Sequence, residues 1–144
     1  MSENSDLPNH RTLFETDFIR VYHNFVDNWI YSKWIGNHTL ETVKSGCEQI
    51  LLALQSEHCH KLLNEEREID TFDWPGQDWV IGDFLPRLAK AGLKELAWVY
   101  SPKDFRRIAT DKTIRNMPTG IIAIAFEDIE VAKDWLRSIE SKEK

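Results

Sequence analysis

The chain has 144 residues, with 24 acidic and 18 basic side chains and a formal net charge of −6 at pH 7. This length suits one domain with a sizeable core, and the acidic balance argues against binding to duplex nucleic acid, whose affinity rests on neutralising phosphates. The longest apolar run is the six residues 121–126, far short of the ~20 that span a bilayer. Two cysteines are too few for a disulfide framework, and the polar start lacks the apolar centre of a signal peptide. We therefore expect a cytoplasmic protein without a membrane span.

Hydrophobic periodicity predicts an alternation of strands and helices along the chain. In chain order the predicted elements are strands over 18–23 and 29–35, a helix over 40–56, a strand over 61–64, a helix over 77–91, a strand over 93–100, a helix over 102–116, a strand over 121–126 and a helix over 129–139. This order predicts an α/β fold, β-β-α-β-α-β-α-β-α, with a mostly parallel five-stranded sheet. The short connection between the first two strands makes them an antiparallel hairpin.

The chain divides into three predicted parts. Residues 1–12 are rich in turn formers and predict a flexible N-terminal arm. Residues 13–140 form the single domain, and the charged residues 141–144 form a fraying end.

Local signals predict where the helices begin and bend. Thr39 and Asp128 can cap the helices that follow them, and Ser101, which precedes a proline, can do the same. In the helix before the fourth strand, Pro86 cannot donate a backbone hydrogen bond and predicts a kink near Asp83.

Two strands are apolar enough to be covered on both faces. The stretch 93–100 ends in five uncharged residues, two of them aromatic, which places it inside the sheet. The run 121–126 suggests the same cover, although a sheet built in sequence order would leave it at an edge. The sequence leaves the strand order open.

One basic stretch departs from the acidic balance of the chain. We interpret it as the solvated face of a helix, with a patch for phosphate or an acidic partner as the alternative. Its cations are Lys103, Arg106, Arg107, Lys112 and Arg115, against Asp104 and Asp111.

Five pieces of sequence are similar to a known family. They are Leu63-Asn64 with Arg67, Phe84-Leu85-Pro86-Arg87, Ala91-Gly92-Leu93-Lys94, Ala97-Trp98-Val99-Tyr100-Ser101-Pro102 and Ala132-Lys133-Asp134-Trp135-Leu136. Together they resemble an uncharacterised bacterial branch of the STAS (SpoIIAA-like) domains over roughly residues 13–139. The resemblance implies a fold shared with anti-sigma-factor antagonists and with lipid-binding SEC14-type domains, and it implies no shared activity.

The chain departs from the regulatory members of that family at one position. Those members carry a phosphorylatable serine at the helix start after a central strand. Here the predicted strand is followed by the charged residues 65–68, and no serine occurs between Glu57 and Tyr100. Ser101 is better explained as a helix cap than as a phosphorylation site.

Candidate binding residues come from the carboxyl ends of the predicted parallel strands, where ligands of α/β sheets bind, and from two tryptophans beside the predicted loop before the second helix. They are Asn64, Glu65, Arg67, Trp74, Trp79, Tyr100 and Ser101. Two structural alternatives stay open: Arg67 can pair with a neighbouring carboxylate, and the tryptophans can pin the loop.

No metal, cofactor or catalytic set is predicted. His58, Cys59 and His60 are adjacent in sequence and cannot converge on one ion in regular structure. Cys47 falls on the apolar stripe of its helix, where a thiol keeps its proton.

These patterns favour a non-catalytic STAS-like regulatory or protein-interaction module that lacks the usual phosphorylatable serine. One alternative is a carrier of a small apolar molecule or lipid, which requires an enclosed apolar cavity. The other is an enzyme of unassigned reaction, which requires a cleft with at least two titratable groups of displaced pKa.

Overall fold

The computed structural model describes residues 7–72 and 74–139, with the backbone but not the side chain of Trp74. Within these residues six strands form one sheet in the order β1-β2-β3-β4-β5-β6. The strands are β1 (His10–Glu15), β2 (Ile19–Asn24), β3 (Trp29–His38), β4 (Lys61–Phe72), β5 (Glu95–Val99) and β6 (Ile122–Phe126). β1, β2 and β3 pair antiparallel, and β3 to β6 pair parallel. The predicted α/β class, hairpin and parallel half of the sheet are confirmed.

The helices lie between the parallel strands and at the end of the chain. They are α1 (Leu40–Ser56), α2 (Trp74–Trp79), a π-helical turn (Val80–Phe84), α3 (Leu85–Lys90), α4 (Asp104–Arg115) and α5 (Ile129–Ser138). None of the helices in the described ranges is long and apolar enough to cross a bilayer.

The sheet separates two hydrophobic clusters. Side chains of α1 to α4 pack on one face, here called the four-helix face, against strand residues that include Trp34, Leu62 and Leu96. α5 packs on the other face, here called the α5 face, where Ala132 and Leu136 meet residues of the central strands. Because β5 pairs on both sides and is buried from Leu96 to Val99, its predicted place inside the sheet is confirmed.

The sheet has six strands rather than the five predicted. The additional strand, β1, includes residues 10–12 of the predicted flexible arm and pairs with β2. The sequence of β1 is mostly polar and gives little indication of a strand. The strand is held by backbone pairing with β2 and by partial burial of Leu13 and Phe14 against the four-helix face. Residues 1–6 and 140–144, which include the predicted charged end, lie outside the described residues.

The stretch after Asn64 is a strand and not the predicted loop. β4 continues for 12 residues to Phe72 because it pairs with β3 along its whole length, beyond the point where β5 stops pairing with it at Glu65. The segment from Asn64 to Trp79, predicted to be a loop that forms a contact surface, therefore contains the end of β4 and the helix α2.

The helical segment from Trp74 to Lys90 has a π-helical turn at its centre. The backbone N–H of Leu85 donates to the carbonyl of Val80, five residues earlier, and Pro86 follows with no N–H to continue the α-helical pattern. The distortion predicted near Asp83 is therefore present as a π-helical turn.

Two of the three predicted helix caps are confirmed. Thr39 forms a capping box with Thr42 on α1, and Asp128 accepts from the backbone N–H of Glu130 on α5. The Ser101 cap is wrong: α4 begins at Asp104 with Lys103 at the cap position. The Ser101 hydroxyl instead accepts from the Lys103 N–H, 3.1 Å away, which makes a local turn before the helix.

The strands lie in the sheet in their sequence order, so β6 is an edge strand. Ile122 and Ile124 are exposed on it, which corrects the expectation that this strand is covered on both faces. α5 is centred over the inner strands and leaves part of the outermost strand uncovered.

Candidate functional site

The alternation of β4 sends two adjacent glutamates to opposite faces of the sheet. Asn64 and Glu66 line a cavity on the four-helix face, while Glu65 meets Tyr31 on the α5 face. Both glutamates are buried. Two carboxylates on opposite faces cannot act as an acid and base pair on one substrate.

A buried ion pair joins β4 to α4 on the four-helix face. An Nη2 donor of Arg106 lies 2.6 Å from Glu66 Oε1, and both side chains are 4% exposed. The guanidinium also lies over the Phe72 ring, 4.1 Å from its centroid. Because neither charge is solvated, each depends on the other for its compensation.

Amide side chains complete a polar group beside this ion pair. Asn64 Oδ1 accepts from Ser32 Oγ at 2.7 Å and from Trp34 Nε1 at 2.8 Å. Gln77 of α2 donates from Nε2 to the Ala109 carbonyl at 3.0 Å and to Thr113 Oγ1 at 2.8 Å. The bonds of Asn64 join β4 to β3, and those of Gln77 join α2 to α4.

The polar group forms one end of a cavity of about 30 Å³. The remaining walls are mainly apolar and come from α1, the π-helical turn, α3 and β5. That volume has room for about two water molecules, whereas sites for drug-sized ligands measure roughly 300–1,000 Å³. In this conformation the cavity is therefore too small for a lipid chain, which argues against the lipid-carrier alternative.

Glu65 belongs to a separate structural cluster on the α5 face. It accepts a short hydrogen bond from the Tyr31 hydroxyl and a 2.7 Å bond from Arg67 Nε. Burial and the neighbouring carboxylate raise the pKa of Tyr31 far above its usual value, so this hydroxyl keeps its proton. The hydrogen bond to Glu65 raises the pKa of Arg67. Arg67 therefore has the structural pairing that the sequence left open.

Tyr100 lies at the rim where β5 ends, within a network of charged side chains. Its hydroxyl donates to Asp111 Oδ1 at 2.5 Å, and this bond raises its pKa. The Arg107 guanidinium lies 4.6 Å from the centroid of the Tyr100 ring and pairs with Glu127 at 3.0 Å. The network holds the start of α4 against the ends of β5 and β6.

The outer side of α4 carries a row of exposed residues that we call the α4 stripe. It consists of Phe105, Ile108, Lys112 and Arg115, spaced three and four residues apart on one side of the helix. Phe105 is 51% and Ile108 is 69% exposed. Lys112 and Arg115 form no ion pair with any residue that the structure describes, unlike Arg106 and Arg107.

The adjacent residues His58, Cys59 and His60 do not converge. His58 adopts a positive φ of 55°, His60 Nδ1 bonds the Gly92 carbonyl at 2.8 Å, and Cys59 Sγ lies 3.4 Å from Asn28 Oδ1. Burial raises the pKa of Cys59 to about 12. Across residues 7–72 and 74–139, no three His, Cys, Asp or Glu side chains are grouped as metal ligands would be.

Solved structures show which fold this arrangement of strands and helices represents. An uncharacterised protein of the DUF3478 family from Shewanella loihica PV-4, described as having a SpoIIAA-like fold, is 20% identical, with a TM-score of 0.52 over 88% of this chain and 91% of that chain. The fold is SpoIIAA-like. An anti-sigma factor antagonist from Mycobacterium paratuberculosis is 15% identical, with a TM-score of 0.56 over 87% of this chain and 99% of that chain. No protein-family model matches the sequence, and no curated protein matches it significantly.

The SpoIIAA-like fold separates the seven predicted site residues. Asn64 lies in the cavity wall, Glu65 and Arg67 lie on the opposite face of the sheet, and Tyr100 and Ser101 lie at the rim. The remaining two begin and end α2. Trp79 is half-buried and stacks on Phe84 with ring centroids 6.2 Å apart, and the side chain of Trp74 lies outside the described residues.

Sequence reasoning missed the polar residues that this SpoIIAA-like fold brings together on the four-helix face. Glu66 could have been found if β4 had been predicted to continue, because it follows Asn64 at the two-residue spacing of one strand face. Arg106 was assigned to a solvated helix face, and only its contact with a distant strand explains its burial. Gln77 carried no signal in the sequence.

Proposed function

We propose that this chain is a cytoplasmic, non-catalytic module that binds a regulatory protein partner through the α4 stripe. The observation that carries the proposal is that Phe105 and Ile108 are exposed on the same side of α4 as two cations, Lys112 and Arg115, that form no ion pair within residues 7–72 and 74–139. Apolar side chains give such a surface its contact area, and cations steer the approach of acidic segments.

The stripe suits a partner segment with apolar residues flanked by acidic ones. The chain as a whole has a net charge of −6, so a basic surface on it is a local feature. The stripe lies on the helix that follows Tyr100 and Ser101, two residues of the contact surface predicted from the sequence. Three other residues of that predicted surface, Asn64, Glu65 and Arg67, lie in β4 and form side-chain hydrogen bonds within the fold.

The charged groups of the site favour a binding role over catalysis. Glu66, Glu65 and Asp111 are each engaged by a partner on a different part of the fold. A general acid and base must converge on one substrate, so three separately paired carboxylates favour a structural use of these charges.

Affinity capture with matched variants tests the proposed surface. The full chain is immobilised and exposed to lysate as wild type, as Ile108→Asp, and as Val131→Asp. Val131 is a suitable control because it is a β-branched residue, 51% exposed on a helix on the opposite face of the sheet. We expect a protein captured reproducibly by the wild type and by Val131→Asp to be lost with Ile108→Asp.

The charge of the stripe gives a second readout on the captured protein. Lys112→Glu with Arg115→Glu should weaken binding most at low ionic strength, because exposed charges are screened by salt. A partner retained equally by Ile108→Asp, or the absence of any reproducible partner, contradicts the proposal.

A further inference from the structure

Two side chains that line the cavity on the four-helix face each carry a buried donor without a hydrogen-bond partner among the described residues. Trp98 Nε1 of β5 and Arg106 Nε of α4 are both unpartnered within the described residues, and both side chains form part of the cavity wall. Trp98 is 7% exposed and Arg106 is 4% exposed. Buried N–H groups are rarely left unpaired, because their desolvation is then uncompensated.

The charges around the cavity specify an uncharged occupant. The cation of Arg106 already faces Glu66 at 2.6 Å, so the pair carries no excess charge for an anion to neutralise. A carboxylate in the cavity would be buried and repelled by Glu66, and an ammonium group would be buried and repelled by Arg106. The unmet requirement is therefore a neutral oxygen that accepts hydrogen bonds.

The rest of the cavity specifies an apolar body for that occupant. Val43 and Cys47 of α1, Val80 and Phe84 of the π-helical turn, and Leu88 of α3 form its walls. On its outer side the turn is not packed against other parts of the chain at Gly82, because a Cβ placed there would meet no atom within 4 Å. π-helical turns are frequent at functional sites.

We propose that this cavity binds a small, uncharged, mainly apolar molecule whose oxygen accepts hydrogen bonds from Trp98 Nε1 and Arg106 Nε. The class includes small ketones, esters and alcohols. A ligand larger than two water molecules requires the π-helical turn to move away from the sheet, and this movement is part of the proposal. This site is independent of the α4 stripe, because the cavity lies on the inner side of α4.

NMR titration of the ¹⁵N-labelled full chain with three probes of similar shape tests the site. Cyclohexanone offers a neutral oxygen, methylenecyclohexane lacks it, and cyclohexanecarboxylate carries a charge. We expect cyclohexanone to shift the Trp98 indole and Arg106 Nε–H resonances saturably, with Trp98 assigned from Trp98→Phe. Methylenecyclohexane should bind about three- to tenfold more weakly, as should cyclohexanone to Trp98→Phe, and the carboxylate should leave both resonances unchanged.

Filling the cavity provides a second test that keeps both donors. Val80→Phe should abolish cyclohexanone binding, and Val131→Phe is the matched control on α5. The proposal is overturned if cyclohexanone shifts neither resonance, if methylenecyclohexane binds equally tightly, or if a folded Val80→Phe protein binds as the wild type does. If Val80→Phe does not fold, cyclohexanone binding to Trp98→Phe is compared with binding to the wild type. Weaker binding supports the proposal, and equal binding overturns it.

Discussion

The buried ion pair between Glu66 and Arg106 gives the most decisive test of the structure. Glu66→Leu leaves the guanidinium of Arg106 in a site where it is 4% exposed and has lost its carboxylate. Breaking a buried pair in this way costs about 3–5 kcal/mol, a large share of the ~5–15 kcal/mol that stabilises a typical domain. For a chain of this size the melting temperature should fall by roughly 8–16 °C.

A double variant separates the cost of an unpaired charge from the value of the pair. Arg106→Met alone should lose a similar free energy of unfolding, because Glu66 then lies buried without a cation. Glu66→Leu with Arg106→Met replaces both charges by apolar groups, and such replacements are often neutral or stabilising. The double variant should therefore be at least about 3 kcal/mol more stable than the sum of the two single losses predicts.

Urea unfolding followed by circular dichroism measures these free energies, and an exposed pair supplies the control. Arg87 lies 2.6 Å from Glu48, the same distance, but these side chains are 40% and 45% exposed. Glu48→Leu should cost no more than about 1 kcal/mol. A loss below about 1 kcal/mol for Glu66→Leu, or a double variant as unstable as the sum of its parts, would refute the burial of this pair.

Three further predictions concern packing, pH and thiol reactivity. Gly46→Ala should lose about 1–3 kcal/mol in urea, because its Cβ would lie 2.5 Å from an indole carbon, while Gly82→Ala, with no atom within 4 Å, should lose none; equal losses would contradict this packing. Burial lowers the pKa of His38 to about 4 from 6.5, so the unfolded chain binds the proton first and up to about 3 kcal/mol of stability is lost as pH falls through that window. Unfolding measured from about pH 7 to pH 4 should show a shallower slope for His38→Gln, and an unchanged slope would exclude this role. Burial raises the pKa of Cys59 to about 12 and that of Cys47 well above its usual value, so iodoacetamide should label neither thiol in the folded protein and both in urea; mass spectrometry showing labelling before unfolding would contradict their burial.

The parts of the fold predicted correctly are those with local causes. The stripe on α1 and its Thr39 cap depend on residues within one or two turns of each other. The π-helical distortion follows from a proline that removes one backbone donor. Parallel pairing of the later strands follows from the helices that separate them in sequence.

The strand β4 shows why the candidate site was only partly predictable. The charged run after Asn64 resembles a solvated loop, since isolated carboxylates are rarely buried. Glu65 is buried because Tyr31, 34 residues earlier, donates to it, and Glu66 because Arg106, 40 residues later, pairs with it. Neither partner can be assigned from the run itself.

The sequence alone determined that strands and helices alternate from β2 to α5, because hydrophobic periodicity and the turn residues act over a few residues of chain. The resemblance to SpoIIAA-like domains, and not the periodicity, implied the fold. The tertiary structure alone decided which charges are buried, that β6 lies at the edge, and that Trp98 and Arg106 face a cavity. The physical reason is distance along the chain: burial of a charge or an N–H group is decided by partners from remote segments, and their positions are fixed only when the sheet and helices pack together.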